Sequence, residues 1–347
     1  MTLTQAAVLT KQLIFFTILL IVVGIGSFIG YKVWYAYYLS TIPPVEIKPD
    51  TKFGILPLPD FPSSNVSSSN FTYSLDTITG SLPKLDENDD FPKIIKVYFI
   101  NKPYASLLSS ERSQELATKF AITAQAQILT DTQYKFVQDE KTLDVNLDSG
   151  NFTYKNTATS SAAQALDNDN KLVVDFQTVL KSLRAFKDDL TRGRTKIVLL
   201  KQSGEALVPT QLRTESVAAQ VSLWPQEIDK KHIFTPEFNK SLISATITQT
   251  TADLKNYKIL DFTYWPIETT IYATYPTKSP EDAFSDLQSG KATIIIEPSK
   301  PQVSITSLYL GYYLSQNYIP YLLPIYIFEG PQFVAYVPAI DKTFVGE

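Results

Sequence analysis

The sequence predicts an α+β fold: an N-terminal transmembrane helix followed by an antiparallel, β-rich domain with about three helices, arranged as two ββαβββ lobes. Three observations predict it. Residues 13–29 read LIFFTILLIVVGIGSFI without a charge. Tyr and Phe number 20 each, and Thr and Ile recur in short runs, which suits strands. Helical spacing of apolar residues is confined to 105–127, 171–190 and the short stretch 280–288.

Extended to Val33, the apolar run covers about 21 residues, roughly 30 Å of helix. Lys32 can snorkel from its end, and Trp34, Tyr35, Tyr37 and Tyr38 suit a headgroup region. A cleaved signal peptide would have a shorter apolar core and small residues where these aromatics stand. The expected order is a cytoplasmic head, 1–11, and a transmembrane helix with its aromatic interface, 12–38. The short head and the large domain behind it favour a cytoplasmic N-terminus and an extracytoplasmic C-terminal domain on the cell membrane. Lysine placement adds only a weak bias. Gly26 and Gly30 form a G-x-x-x-G pair, which lets two helix backbones approach closely. They are the candidate helix-pairing residues, for a homodimer or a membrane partner.

Residues 39–69 read as a Pro- and Ser-rich linker. Proline stiffens it, and the segment FGILPLPDFP is apolar enough to lie against a domain surface. A first α+β lobe is expected over 70–156, with strands at 71–79, 93–100, 134–137, 142–147 and 152–154 and a helix over 105–127. The middle, 157–256, holds the helix 171–190, whose stripe is Phe176, Val179, Leu180, Leu183, Phe186 and Leu190. Gly193 is its expected stop. Strands follow at 196–201, 217–224 and 241–248. The C-terminal lobe, 257–347, opens with strands at 257–265 and 270–275. Ser279 caps a helix over 280–288, with Pro280 in its first turn. Strands at 292–296, 303–313, 321–328 and 333–337 complete it. Pro320 and Pro324 fit a strand start or an edge, not a central strand.

Composition excludes several chemistries. There is no cysteine, hence no thiol catalysis, disulfide or Cys-ligated metal, and for an extracytoplasmic chain this points to a bacterial or archaeal source. Net charge is −4, and no run of Lys and Arg marks a nucleic-acid face. The one histidine, His232, has Asp229 three residues away, but no G-x-S-x-G elbow accompanies it. Asp86, Glu87, Asp89 and Asp90 lack EF-hand spacing and read as a solvated loop; DNDN at 167–170 reads as a helix cap. Neither a Walker A motif nor G-x-G-x-x-G occurs. No catalytic residue, cofactor or metal is expected. Tyr312, Tyr313, Tyr318 and Tyr321 sit in an aromatic-rich terminal region that either fills a sheet face or forms a recognition surface.

The segments SPEDAFSDLQSGKATI, VSITSLYLGYYL, YLLPIYIFEG and FVAYVPAI resemble the closing unit of the YycH/YycI group of membrane-anchored bacterial proteins with PepSY-like units. TQYKFVQDEKTLDVNLDSGNFTY resembles another such unit. The resemblance covers roughly the last 80 residues well and the first unit loosely. It implies an accessory regulator of the cell envelope that works through protein–protein contacts. It brings no catalytic residue. The alternatives from other classes are an envelope hydrolase using paired carboxylates, for which no pair stands out, and a structural scaffold.

Overall fold

The computed structural model describes residues 3–41, 48–86, 89–158, 166–248 and 252–346; within the first helix it describes the side chains of 16–17, 19–35 and 37–38. The chain forms two compact units, 1–48 and 49–347.

The first unit is one helix, α1 (Leu3–Thr41). Here the expected transmembrane helix over 12–38 is corrected. Among the described residues no helix is long and apolar enough to cross a membrane. Gly24, Gly26, Ser27, Gly30 and Lys32 interrupt the apolar surface of α1.

The second unit contains three further α-helices and every described strand. In chain order these are β1 (Thr72–Leu75), β2 (Ile94–Ile100), α2 (Ser109–Lys119), β3 (Gln127–Thr130), β4 (Gln133–Gln138), β5 (Lys141–Asn146) and β6 (Phe152–Asn156). Then come α3 (Asp169–Ser182), β7 (Thr195–Ser203), β8 (Ala206–Thr210), β9 (Ala218–Leu223), β10 (Ile233–Phe234), β11 (Ile243–Ile247) and β12 (Tyr257–Phe262). The chain closes with β13 (Ile267–Pro276), α4 (Pro280–Gln288), β14 (Thr293–Ile296), β15 (Gln302–Ile305), β16 (Ser307–Tyr313), β17 (Tyr321–Gly330) and β18 (Phe333–Pro338).

These strands do not form two repeated lobes. A nine-stranded sheet runs β3-β4-β5-β6-β12-β11-β9-β7-β8, antiparallel throughout. A seven-stranded sheet runs β10-β16-β17-β18-β14, with β2 pairing both β13 and β17. The seven-stranded sheet is therefore mixed, because β10 runs parallel to β16, and a separate two-stranded sheet pairs β1 parallel to β15. Strands β1 and β2, expected in the first lobe, are thus built into the C-terminal half, and β12 into the middle sheet.

Helices α2 and α3 cover the nine-stranded sheet. Phe176, Val179 and Leu180 of α3 pack with Phe136, Tyr154, Val221, Ala245 and Leu260 of the sheet in one apolar core. Asn168 caps α3 by accepting from the Lys171 N–H at 3.0 Å, as the DNDN pattern predicts. Both helices end earlier than their apolar stripes suggest. Arg184, φ 60°, and Ala121, φ 55°, take the left-handed position just past the end, which lets the next N–H return into the last turn: Ala185 to Leu180 at 2.8 Å and Ile122 to Ala117 at 2.9 Å. Helix α4 has the expected bounds, with Ser279 accepting from the Asp282 N–H at 3.0 Å. It packs Ala283 and Leu287 into the core that β17 and β18 line with Tyr326, Phe328 and Val337.

Pro324 lies inside the central strand β17, against expectation. The reason is a change of partner. On the side away from β16, β17 pairs with β2 at Tyr321–Leu322 and with β18 only from Ile325 on. Pro324 falls in the gap, where no ladder hydrogen bond needs its missing N–H. The stretch 303–313, expected as one strand, is two, β15 and β16, which serve different sheets. The segment expected as a linker packs from residue 49 on. Leu56 is buried and donates its N–H to Phe344 O at 2.8 Å; Phe61 packs edge-on against Tyr313. Pro43-Pro44 lies outside the described residues.

One buried group is unsatisfied in the α3 core. The Tyr257 hydroxyl has no hydrogen-bond partner among the described residues, and burial pushes its pKa up. Tyr257→Phe removes an uncompensated polar atom and leaves the ring packing in place. It is expected to raise stability by about 1 kcal/mol, since an unmade buried hydrogen bond costs about that much. Thermal unfolding of the two proteins checks it; a lower Tm in the variant contradicts it.

Candidate functional site

The residues singled out in the sequence do not converge on one place. Gly26 and Gly30 lie on α1, and a Cβ at either would meet nothing within 4 Å. Tyr312 and Tyr313 are buried in β16, so neither forms a recognition surface in this chain. Tyr312 donates to Lys96 O at 3.1 Å, and Tyr313 to Asp60 O at 2.7 Å. Tyr318 and Tyr321 are half-buried. Tyr318 donates to Ile100 O at 2.9 Å, and the Tyr321 ring stacks on Phe53 at 4.9 Å. All four fasten the C-terminal strands to residues 53–100.

The His232–Asp229 pairing is not made. His232 Nδ1 stands 2.8 Å from Glu227 Oε1, while Asp229 accepts from the Tyr98 hydroxyl at 2.5 Å and from Lys96 Nζ at 3.2 Å. Burial, with Asp229 alongside, pushes the Tyr98 phenol well above its ordinary value. The acidic loop is engaged by lysines: Asp86 pairs with Lys93 at 3.0 Å and Asp89 with Lys230 at 3.8 Å. Glu87 lies outside the described residues. Among the described residues no three of His, Cys, Asp and Glu gather as a metal would require.

The two edges of the nine-stranded sheet differ. The β8 edge carries Pro209 and ends in a turn capped by Thr210. Proline on an edge strand blunts it against further pairing. The β3 edge, sequence QILT, carries neither proline nor charge, and all four residues are exposed. Ile128 and Leu129 present most of their apolar surface to solvent. The pairing of β3 with β4 shifts register between Ile128 and Thr130. Close by, the β5–β6 turn is held to the β3–β4 turn by Leu147 N–H donating to Thr132 O at 2.7 Å, and Asp148 Oδ1 accepts from Ala105 N–H at 3.0 Å. The loop so anchored exposes Tyr104, Leu107 and Leu108.

Among the described residues of the second unit, two clefts carry charged linings. One, about 660 Å³, lies between α2, the β5–β6 turn and the segment after α3, and is lined by Arg112, Lys119, Asp148, Arg184, Lys187 and Tyr264 among others. The other, about 600 Å³, is lined by basic groups from two separate segments, Arg194 and Lys196 on one and Lys230, Lys231 and His232 on the other. Its apolar wall includes Phe91, Phe234, Phe238 and Tyr309, and its acids are Asp90 and Glu329. Sequence reasoning missed it. The signals were the short patterns RGRTK and DKKH, 192–196 and 229–232, which only the sheets bring together.

Gly193 precedes Arg194 of this cleft. A Cβ there would stand 1.7 Å from the Trp224 carbonyl oxygen. That contact lets the chain pass close enough for the Trp224 N–H to donate to Arg194 O at 2.9 Å and for the guanidinium to lie 4.3 Å over the indole. Gly193 thus serves close approach rather than helix termination.

No family model matches the chain, and no curated protein matches it. Among solved structures it is similar to an uncharacterized protein from Eubacterium rectale ATCC 33656, at 12% identity and a TM-score of 0.30, covering 77% of this chain and 93% of that one.

Proposed function

We propose that this is a non-catalytic binding protein that works by protein–protein contact and takes an extended segment of its partner onto the β3 edge. The observation that supports it is an edge strand without charge or proline whose four residues are all exposed. A strand edge without charge or proline is a template for another strand, and natural proteins blunt such edges unless they are used. Added main-chain hydrogen bonds would supply affinity, and the exposed apolar side chains specificity. Tyr104, Leu107 and Leu108 are exposed as well, on the loop that Asp148 anchors. A regulatory role through contacts with another envelope protein is also what the resemblance to the YycH/YycI group implies.

A photo-crosslinking amino acid at position 128, in cells that make the protein naturally, tests this against the same probe at Lys300, an exposed loop position. One protein is expected to be captured from 128 and not from 300. Ile128→Lys, which puts a charge on the edge, should reduce capture from a probe at 127 about tenfold while leaving Tm within about 1 °C, as for other exposed substitutions. Equal capture from 128 and 300, or capture indifferent to Ile128→Lys, refutes the assignment.

A further inference from the structure

We propose that the cleft beside Arg194 binds a small organic anion, its carboxylate or phosphate held by Arg194, Lys196 and Lys231 and its flat apolar body laid against Phe238 and Tyr309, which Phe234 backs. The argument begins with charge. Three cations face one cleft, and among the described residues none has a carboxylate at ion-pair distance. Lys196 Nζ donates to the Asn239 side-chain carbonyl, and Lys231 Nζ to the Asp89 backbone carbonyl at 3.2 Å. Arg194 has Nε and Nη2 buried without a hydrogen-bond partner among the described residues.

Burial draws the pKa of all three below the ordinary value. Arg194 and Lys231 are thus partly desolvated cations, while Lys196 beside them stays exposed. Burial raises the pKa of the Glu329 carboxyl and Lys196 lowers it, and the carboxylate is not at ion-pair distance from any of the three cations. Asp90, Asp229 and Asp89 all attract Lys231 and offset part of its charge. Removing charges from water without pairing them is unfavourable, so such a cluster is retained where something else brings the pairing charge.

The apolar side gives the rest of the ligand its shape. Phe234 stacks nearly parallel to Phe238 and to Tyr309, each at 6.0 Å, and the Arg194 guanidinium sits 5.5 Å from the Phe234 ring. Gly311 allows this arrangement, because a Cβ there would stand 2.4 Å from the Phe234 ring. A wall of aromatic rings beside a cluster of fixed cations fits a planar body carrying one acidic group. At about 600 Å³ the cleft falls in the range of small-molecule sites.

Titration calorimetry of the full chain with benzoate, phenyl phosphate and benzamide tests this. At least one of the two anions is expected to bind with a Kd of about 0.1–1 mM. Neutral benzamide, of the same shape as benzoate, should bind at least about tenfold more weakly than that anion. The tighter of the two anions identifies the acidic group. Arg194→Met, which keeps apolar bulk against Trp224, should abolish binding. Should that variant not fold, Lys196→Gln carries the test: its side chain is exposed, and the affinity should fall about tenfold. Equal binding of benzoate and benzamide, no heat from either anion, or an affinity that Lys196→Gln leaves unmoved overturns the proposal.

Discussion

Gly193→Ala is expected to destabilise the second unit by on the order of 3 kcal/mol or more, because overpacking against backbone cannot be relieved by a rotamer change. The added methyl would fall 1.7 Å from Trp224 O and 2.8 Å from its carbonyl carbon. Relief requires the strand end at β9 to retreat, which breaks the Trp224–Arg194 hydrogen bond and lifts the guanidinium off the indole. Gly204 provides the comparison. Its φ is +62° but a Cβ there meets nothing within 4 Å, so Gly204→Ala carries only the left-handed backbone strain, about 1–2 kcal/mol. Denaturant unfolding of the two variants should separate them clearly. A Gly193→Ala protein as stable as wild type would mean that the close approach at this point is wrong.

Phe176→Ala should cost about 3–5 kcal/mol, the usual range for a fully buried aromatic truncated in a core. Phe176 is wholly buried at the centre of α3, 6.2 Å from the Tyr257 ring. It shares its core with residues from both ends of the nine-stranded sheet. With total stabilities near 5–15 kcal/mol, the loss is large enough to lower the urea midpoint markedly at unchanged slope. Val174, on the same helix but more than half exposed, should tolerate alanine within about 0.5 kcal/mol. A small loss at Phe176 would mean that α3 is not seated on the sheet as described.

Much of the fold was legible where local rules suffice. Helix α4 is announced by Ser279, Pro280 and the acids Glu281 and Asp282, and both its ends fall where these residues put them. The hairpins between β4 and β6 follow from alternating residues and the turn at Gly150, φ +70°. What local rules do not contain is which strand meets which. Tyr312 and Tyr313 look like interface candidates because tyrosine suits a wet surface, but here each hydroxyl finds a main-chain carbonyl more than 200 positions away. The basic cleft was illegible for the same reason. Two lysines and a histidine at 230–232 and the cations at 194 and 196 form no run in the sequence. The length of α1 follows from local helical propensity, whereas a bilayer crossing demands an apolar stretch of sufficient rise. No helix among the described residues provides one.

The pairing of β2 with β13 and β17 has a temporal consequence. Tyr98 lies opposite Tyr272 and Leu322, so synthesis must run more than 200 residues past β2 before its last partner exists. At 5–20 residues per second that is roughly 10–45 s. Until β13 is made IIKVYFI has no strand partner, and until β17 is made it keeps one open edge, the kind of segment that aggregates or recruits a holdase. Native pairing closes long loops, which makes folding slow for the size of the chain. A chain stopped short of β17 would be released with β2 lacking its second neighbour. The final third of the sequence therefore decides whether the first strands ever become safe, and nonsense or frameshift changes there are expected to act through the fate of residues translated long before them.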